Sequence, residues 1–549
     1  MRSTFHNLET AKRGLFAAQT AIQTTGHNIA NANTKGYTRQ AVDFVASKPM
    51  EALAWTRSTS PGQLGTGVDY SNIRRLRDSY LDGQFRNQNQ NFGDWEVRQS
   101  TFEKLEAIIN EPSDYGIRTV IDHFWNAWQD LAGQPDNLTA RSVVIERAAA
   151  MTDALNDVAQ KLEDLKSDLV ESLKVKLGSG SIDVNGKLQI ENIGDVNTLL
   201  TQIAKLNEQI YQVEAQGDHA NDLRDQRDLL TDQLSKLIDI TVKDEKDNSG
   251  YTITLSNGTQ LVKANHANQV YMDSSNPSAL KGFLYDPETK TITDLTPNTQ
   301  TLKDVFSSGE VHGYLQSIEE VEKIQSQLDD LVNGLVSGNI DLTLVSGTQL
   351  PPNMANLLGL DATNYDSSTQ TVTKDVAVKV PGINGLHQMG YDLNSNPGIE
   401  FFTKKDNTKP MSASNIQVNT AILNDVTKIA TSNRLENGVV LKGNNQIALW
   451  IADMRYTKIE GIGSSDEYFR SMVGNLGVRS QEAVRQYKSQ KVLVEQVDHR
   501  RQAVSGVSLD EEMADLIKYQ HAYNASARMI TAIDEMLDKV INGMGIVGR

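Results

Sequence analysis

The fold class that this sequence predicts is a mainly α, elongated, multidomain chain with β-rich inserted domains, and three observations predict it. Apolar residues recur every seven positions at both ends of the 549 residues. Between the ends, apolar residues in several runs alternate spacings of three and four, the signature of one buried helix face. From Ile240 onward the period changes to short alternating runs separated by turn-forming pairs, which reads as strands.

The terminal stripes come first. Leu8, Leu15, Ile22 and Ile29 form the N-terminal one, with Ala11 and Ala18 three places after the first two. Leu509, Leu516, Tyr523, Ile530, Leu537 and Met544 form the C-terminal one, and Met513, Ile533, Val540 and Ile541 supply a mixed second seam. At about 1.5 Å rise per residue, the stripes run roughly 32 Å and 52 Å. A lone helix with such a stripe in water is marginal. The ends are therefore expected to pair as a coiled coil or to wind on partners.

Helices also fill the middle. Met151, Leu155, Val158, Leu162, Leu165 and Leu169 mark one, and Val196, Leu199, Ile203, Leu206, Ile210 and Val213 another. The second is expected to break at Gly217-Asp218 and resume through Leu223, Leu230, Leu234 and Leu237. Shorter helical runs cover Trp95–Ile109, Val120–Leu131 and Val321–Leu335. Asn257-Gly258, between Tyr251–Leu255 and Gln260–Val262, predicts a hairpin, and Asn185-Gly186 a smaller one between two helices.

The expected divisions follow these changes of period. Residues 1–90 form a terminal region of helix plus extended segment, and 91–239 the first part of a helical-bundle middle domain. Residues 240–305 are a β-rich insertion and 306–338 the helical return. Residues 339–410, rich in Gly, Asn, Ser, Thr and Pro, are a second β-rich or loosely ordered insertion. Residues 411–480 complete the helical middle, and 481–549 are the C-terminal half of the terminal region.

Composition excludes several functions. The net charge of -17 offers no basic stripe to displace counterions from phosphates, so no nucleic acid is expected as a partner. Cysteine is absent, which removes disulfides, thiolate metal sites and cysteine nucleophiles. No stretch approaches the roughly 18 apolar residues of a membrane span, and Met1–Ala30 shows no cleavable-signal pattern. With 6% aromatic residues, the cores are expected to be built from Leu, Ile, Val and Met.

No motif assembles an active site. Gly65-Thr-Gly67 is followed by Val68–Ile73, an extended segment, whereas a phosphate loop requires a helix there. Asp244–Gly250 places Lys246 at the third position of a would-be calcium loop and lacks the glycine at the sixth. His499 and His521 read as exposed or interfacial, and the sequence holds no His-Glu-x-x-His pair. The charges from Asp222 to Asp232 read as ion pairing along a solvated or interfacial face. Catalytic, cofactor and metal residues are therefore expected to be absent.

The segment after the first helix is different. Asn28-Ile-Ala-Asn-Ala-Asn-Thr-Lys-Gly-Tyr37 combines helix-ending Asn31, Asn33 and Thr34 with Gly36, free to adopt positive φ, and Tyr37 as an anchor. It resembles the N-terminal signature of rod, hook and hook-junction proteins of the bacterial flagellum, with Lys35 where Pro is frequent. Gly506-Val-Ser-Leu-Asp-Glu-Glu-Met513 and Tyr519–Tyr523 resemble the matching C-terminal motif, with Ser508 where Asn is common. Tyr37-Thr-Arg-Gln40, Gly65–Val68, Ile73–Arg75, Asn221–Leu230, Phe401-Phe402 and Ala413–Ile416 are similar to the hook-associated family that meets the hook. The 183–190 hairpin and residues 339–409 depart from that family.

The resemblance implies a structural subunit, not an enzyme, at the hook side of the hook–filament junction and needed for filament assembly. It implies export through the flagellar apparatus to an extracellular site, after an export chaperone captures the C-terminal region. Its implied partners are copies of itself in a ring or helical layer, the hook protein and a second hook-associated junction protein. The terminal helices would pair into an inner tube while the middle domains stack outward. A hook or distal rod subunit would share the terminal signatures, and an exported adhesin or hydrolase carried by the insertion is the reading from another class.

Overall fold

The computed structural model describes residues 5–48, 65–110, 116–245, 250–352 and 354–542. Met544 of the C-terminal stripe and the centre of the Asp244–Gly250 loop lie outside the described residues.

From the N-terminus, helix α1 (His6–Asn31) leads into the paired strands β1 (Gln40–Ala46) and β2 (Val68–Arg75). Gly67, at φ +104°, makes the turn before β2, so these glycines open a strand and not a phosphate-binding helix. Helices α2 (Ser79–Ile109), α3 (Ile117–Gly133) and α4 (Leu138–Leu177) follow, then the small hairpin β3 (Ser179–Ile182) and β4 (Leu188–Asn192). Gly217, at φ +93°, separates α5 (Asp195–Glu214) from α6 (Asn221–Leu237), where the break was expected. Seven strands come next: β5 (Ile240–Glu245), β6 (Gly250–Leu255), β7 (Gln260–Lys263), β8 (His266–Ala267), β9 (Gln269–Asp273), β10 (Gly282–Asp286) and β11 (Thr291–Asp294).

Helices α7 (Leu302–Val305) and α8 (Gly309–Ser337) close that stretch. A less regular one contains β12 (Asn339–Leu344), α9 (Met354–Leu357), β13 (Tyr365–Asp366), β14 (Thr371–Val372), β15 (Val376–Pro381) and α10 (Gly382–Gln388). It continues with β16 (Phe402–Lys404), β17 (Ile416–Val418), α11 (Thr420–Asn424), β18 (Leu435–Glu436), β19 (Val439–Val440) and α12 (Gln446–Asp453). Two long helices, α13 (Ser465–Ser505) and α14 (Leu509–Asn542), finish the chain.

Packing divides the chain into two units. The first comprises Met1–Asp94, Lys174–His312 and Lys488–Arg549. Its strands form a four-stranded meander, β5-β6-β7-β8, and a five-stranded sheet of order β11-β10-β9-β3-β4 in which β3 and β9 run parallel. Alternation buries Tyr251, Ile253 and Leu255 of β6, while Asn257-Gly258 turns the chain as expected of a hairpin. Fully buried Asn197 of α5 exchanges two 2.7 Å hydrogen bonds with the backbone of Val270, fixing the helix to β9.

The second unit comprises Trp95–Leu173 and Gly313–Tyr487. All six stripe residues of α4, from Met151 to Leu169, are buried. They share the core with Leu315, Ile318, Val321, Ile324, Leu328 and Leu331 of α8. An aromatic cluster sits here: Phe124, Trp125 and Trp128 of α3 with Phe401 and Phe402 at ring-centroid separations of 4.9–6.4 Å. The stretch from Asn339 to Lys409 contributes Leu344, Leu350, Val380, Ile383 and Leu386 to this core.

Two buried polar side chains, Arg141 and His387, hold backbone segments of this unit together. The Arg141 guanidinium donates to the carbonyls of Pro135 and Ile429 and to Thr431 Oγ1. Burial pulls its pKa down to about 10, which leaves it charged at neutral pH. His387 donates from Nδ1 to the Ile399 carbonyl and accepts the Ala430 N–H at Nε2, 2.8 Å away. Only the neutral imidazole can make both bonds. Burial is the main cause pushing its pKa down to about 4; the Ile399 bond opposes this and the Arg141 charge adds to it.

A depressed histidine stabilises the fold above its ordinary value and loses that contribution as protons are forced on. The second unit should therefore weaken by about 3 kcal/mol as pH falls from the ordinary 6.5 to about 4. Urea unfolding across that window checks this, and His387→Gln should flatten the pH dependence.

Candidate assembly site

The terminal helices meet in the first unit, and their seam is made of small residues. Ala11, Ala18 and Thr25, with Ala21 and Asn28 on the second heptad position, are the buried residues of α1 along with Ala17 and Thr24. Leu8, Leu15, Ile22 and Ile29 flank this seam and are half-buried. Gly14 sits on the same register, and a Cβ placed there would lie 3.0 Å from Ser526 Oγ of α14. On α14, Leu516, Tyr523, Ile530 and Leu537 are half-buried, and the second position is taken by Glu512, Tyr519, Ser526 and Ile533. Leu509, Met513 and Ile517, four residues apart, are exposed, as are Met529, Met536 and Val540. Of the second seam expected from sequence, only Ile533 is buried; Met513, Val540 and Ile541 face away.

One end of this pair is fastened by the turn after α1. Asn28 is 1% exposed and its amide uses every hydrogen-bonding position. Its Nδ2 donates to the Gln40 carbonyl at 2.9 Å and to Glu512 Oε2 at 3.0 Å. Its Oδ1 accepts from the Gln40 N–H at 3.0 Å and the Tyr37 hydroxyl at 2.8 Å. Asn31 and Thr34 build the turn itself, with Thr34 Oγ1 donating to Asn31 Oδ1 and the Thr34 N–H to the Asn31 carbonyl. Asn33 is exposed. Gly36, at φ +84°, approaches α6 so closely that a Cβ would lie 3.2 Å from Leu229. Burial and the nearby carboxylates of Asp222, Asp225 and Glu512 raise the Tyr37 pKa, so its hydroxyl stays a donor.

Arg39 completes the clasp. Its Nε reaches Glu512 Oε1 and its Nη1 reaches Glu511, each at 2.6 Å, while its N–H donates to the Ser505 carbonyl. The two ends of the chain are thus held by bonds spanning 473 and 484 residues.

Behind the clasp stands α6. Asp222 Oδ1 accepts from Gln40 Nε2, and Asp225 Oδ2 accepts the Thr38 N–H, both at 2.8 Å. Arg75 donates to Asp225 at 2.7 Å and to Asp228 at 2.8 Å. Arg77 forks onto Asp82 at 2.6 and 3.0 Å and lies 3.3 Å from Asp228. Arg86 pairs with Asp232 at 2.9 Å, and Arg501 of α13 also pairs with Asp232 while stacking on Phe85. Four guanidinium groups (Arg75, Arg77, Arg86, Arg501) and four carboxylates (Asp82, Asp225, Asp228, Asp232) balance, all at most one-fifth exposed.

The electrostatics follow from this packing. Burial alone would raise the Asp228 pKa, but Arg77, Arg75, Arg227 and Arg86 outweigh it and hold the group below the usual carboxylate range. At Asp225 burial wins over the Arg75 and Thr38 bonds and raises the pKa. The charged face of α6 pairs as expected, but with strands and helices far along the chain. Only Asp222 of the four acidic residues remains exposed; Asp225, Asp228 and Asp232 are buried, not solvated.

A cleft of about 870 Å³ opens between the Ala32–Arg39 turn, α6 and the Ser505–Ser508 turn. His499 and His521 are exposed. Among the described residues, no group of three His, Asp or Glu side chains converges to hold a metal ion, and no helix is long and apolar enough to cross a membrane.

Residues 102–339 match the model of the flagellar hook-associated protein FlgK helical domain. Residues 8–38 match that of the flagella basal body rod protein, and 501–543 that of the flagellar basal body rod FlgEFG protein C-terminal region. The flagellar hook-associated protein 1 of Bacillus subtilis is 33% identical over the whole of both chains. The chain belongs to the flagellar hook-associated protein 1 family. Its namesakes in Salmonella typhimurium and Escherichia coli are 26% and 24% identical, over 97% of this chain and 98% and 99% of theirs. In this member of the hook-associated protein 1 family, the two rod-type matches include Asn28, Tyr37, Glu511 and Glu512 of the clasp.

Removing one carboxylate from the ladder strands its partners. Asp228→Ala should cost about 3–5 kcal/mol, because Arg75, Arg77 and Arg86 would be left buried without it; denaturant unfolding checks this. Asn28→Ala should cost about 2–3 kcal/mol, since it leaves two donors and two acceptors without their partner. Hydrogen exchange should then quicken at the Gln40 amide and through Leu509–Gln520.

Proposed function

We propose that the chain is a structural subunit of the flagellum at the hook side of the hook–filament junction, required for filament assembly, and that it works by packing and not by catalysis. The full-length identity of 33% to a hook-associated protein 1 carries this reading. The pairing of α1 with α14, in which the two ends of the chain meet, supports a role for that pair in assembly.

The apolar patches left open on α14 support the partner chemistry. Exposed apolar groups at regular helical spacing mark surfaces that another chain covers. Leu509, Met513 and Ile517, with Met529, Met536 and Val540 further along, fit neighbouring copies in a ring or helical layer. The hook protein and a second junction protein would lie on its two sides. Before assembly the same patches suit an export chaperone at the C-terminal region, followed by passage through the flagellar export apparatus to the cell exterior.

The stripe residues Leu8, Leu15, Ile22, Ile29, Leu516, Tyr523, Ile530 and Leu537 would hold the pair together in this reading. Exposed Leu509 would sit with the outer patches, and the signature turn from Asn28 to Tyr37 would set the angle at which the pair leaves the rest of its unit. A second reading, a rod or hook subunit, draws on the rod-type matches at both ends. Labelling the chain on isolated hook–basal structures separates the two, since a rod subunit would be found below the hook.

In cells lacking their own copy, the chain without Leu509–Arg549 should accumulate yet fail to restore filament attachment and swimming. Full-length Met513→Ser/Ile517→Ser should fold normally and show the same defect. Normal swimming from the truncated chain would sink the reading.

A further inference from the structure

Six Asn-Gly pairs occur in the sequence, and three sit at hairpin tips: Asn185-Gly186, Asn257-Gly258 and Asn437-Gly438. Asn333-Gly334 and Asn384-Gly385 lie inside α8 and α10. Such pairs carry a reaction of their own. The backbone nitrogen after the asparagine loses its proton and attacks the side-chain carboxamide carbon. A new C–N bond closes a five-membered succinimide as the carboxamide C–N bond breaks, and ammonia leaves with the proton. Water then opens the ring at either carbonyl, giving aspartate or isoaspartate. No oxidant, reductant or enzyme is needed, and glycine has no Cβ to obstruct the attack.

Three conditions decide which pair reacts within the fold. The glycine N–H must be free to lose its proton, the asparagine amide must be unengaged, and the backbone must rotate out of its turn. The Gly186 N–H donates to the Asp183 carbonyl and the Gly258 N–H to the Leu255 carbonyl, each at 2.9 Å. Asn257 Oδ1 is further held by the Thr259 N–H. Their hairpins are also well fastened: β3–β4 pairs four residues, and β6 is bonded on both sides, to β5 and β7.

Asn437-Gly438 meets all three conditions together. Neither the Gly438 N–H nor the Asn437 amide makes a hydrogen bond among the described residues, and both residues are exposed. Strands β18 and β19 pair only two residues each, so the tip opens at low cost. Asn437 is held at φ +52°, where a non-glycine residue carries backbone strain that opening relieves.

We propose that Asn437 is a self-modification site, converting to aspartate and isoaspartate in the folded chain ahead of the other two hairpin tips. The product gains a negative charge beside Glu436. Isoaspartate also inserts one extra backbone carbon into a two-residue turn, so the β18–β19 pairing cannot close as before. The hairpin stays attached below, because Val440 N–H donates to Ser395 Oγ at 2.9 Å and Leu435 N–H to Gln349 Oε1.

The test incubates the full-length chain at mildly alkaline pH, with and without urea, and follows the three tip peptides by mass spectrometry. In the native chain the Asn437 peptide should convert several-fold faster than those of Asn185 and Asn257, while in urea the three rates should converge. Asn437→Gln should abolish the conversion. Native Asn185 or Asn257 reacting as fast as Asn437, or the same preference persisting in urea, would overturn the proposal.

Discussion

The first unit depends on the carboxylates buried along one face of α6. Asp225, Asp228 and Asp232 reach the turn after α1, the end of β2, the start of α2 and the last part of α13. These segments come from four regions of the sequence. Buried ion pairs add little net stability over apolar packing of the same shape. What they impose is register. A guanidinium shifted by one helical step would leave both itself and its carboxylate buried without a partner, and that outcome is strongly unfavourable. The ladder therefore fixes where the terminal pair begins, and Asn28, Arg39 and Glu512 pass that placement on to α1 and α14.

Periodicity made the terminal helices legible but displaced their seam. The eye follows Leu and Ile, which repeat every seven residues on both ends. The contact itself runs along Ala11, Gly14, Ala18, Ala21, Thr25 and Asn28, on the same period but of small side chains. Helices that approach this closely leave no room for leucine between them, so the large residues are pushed to the rim and half-exposed. The small-residue register was present in the sequence at spacings of three and four, and hydrophobicity alone underweights it. On α14 the same displacement put Glu512 and Ser526 at positions where an apolar residue would be sought.

The clasp was legible only in part, for a different reason. Asn31, Thr34 and Gly36 announce a turn because their chemistry is local, within four residues. Asn28 looks from sequence like one more helix-ending residue. Its role comes from Glu512, 484 positions away, and nothing local encodes that. The acidic run of α6 was legible as ion pairing, but its partners Arg75, Arg86 and Arg501 lie about 150 to 270 residues away. In the second unit, the stretch from 339 to 409 shows weak periodicity because its ladders are short, apart from β12–β15, and side chains hold much of the backbone between them. Asn384 bonds the Phe401 and Phe402 N–H groups, and Asn415 bonds the carbonyls of Asp406 and Pro410. Such bonds bury irregular chain without leaving a repeat to read.

A small-residue seam has a consequence for assembly. Two helices joined through Ala, Gly, Ser and Thr bury little apolar area against each other, and burial contributes only about 25 cal/mol per Å². Their larger side chains remain at the rim, where Leu8, Leu15, Ile22 and Ile29 are half-covered and Met513, Ile517, Met529 and Met536 are open. Within a single chain that arrangement is weak, and the clasp at one end compensates by fixing geometry with hydrogen bonds. On the proposed reading, neighbouring copies closing around the rim would give the same residues the burial that the seam withholds. The pair would thus be oriented before assembly and made stable by it, a division of labour suited to a subunit whose ends must first be placed and then locked.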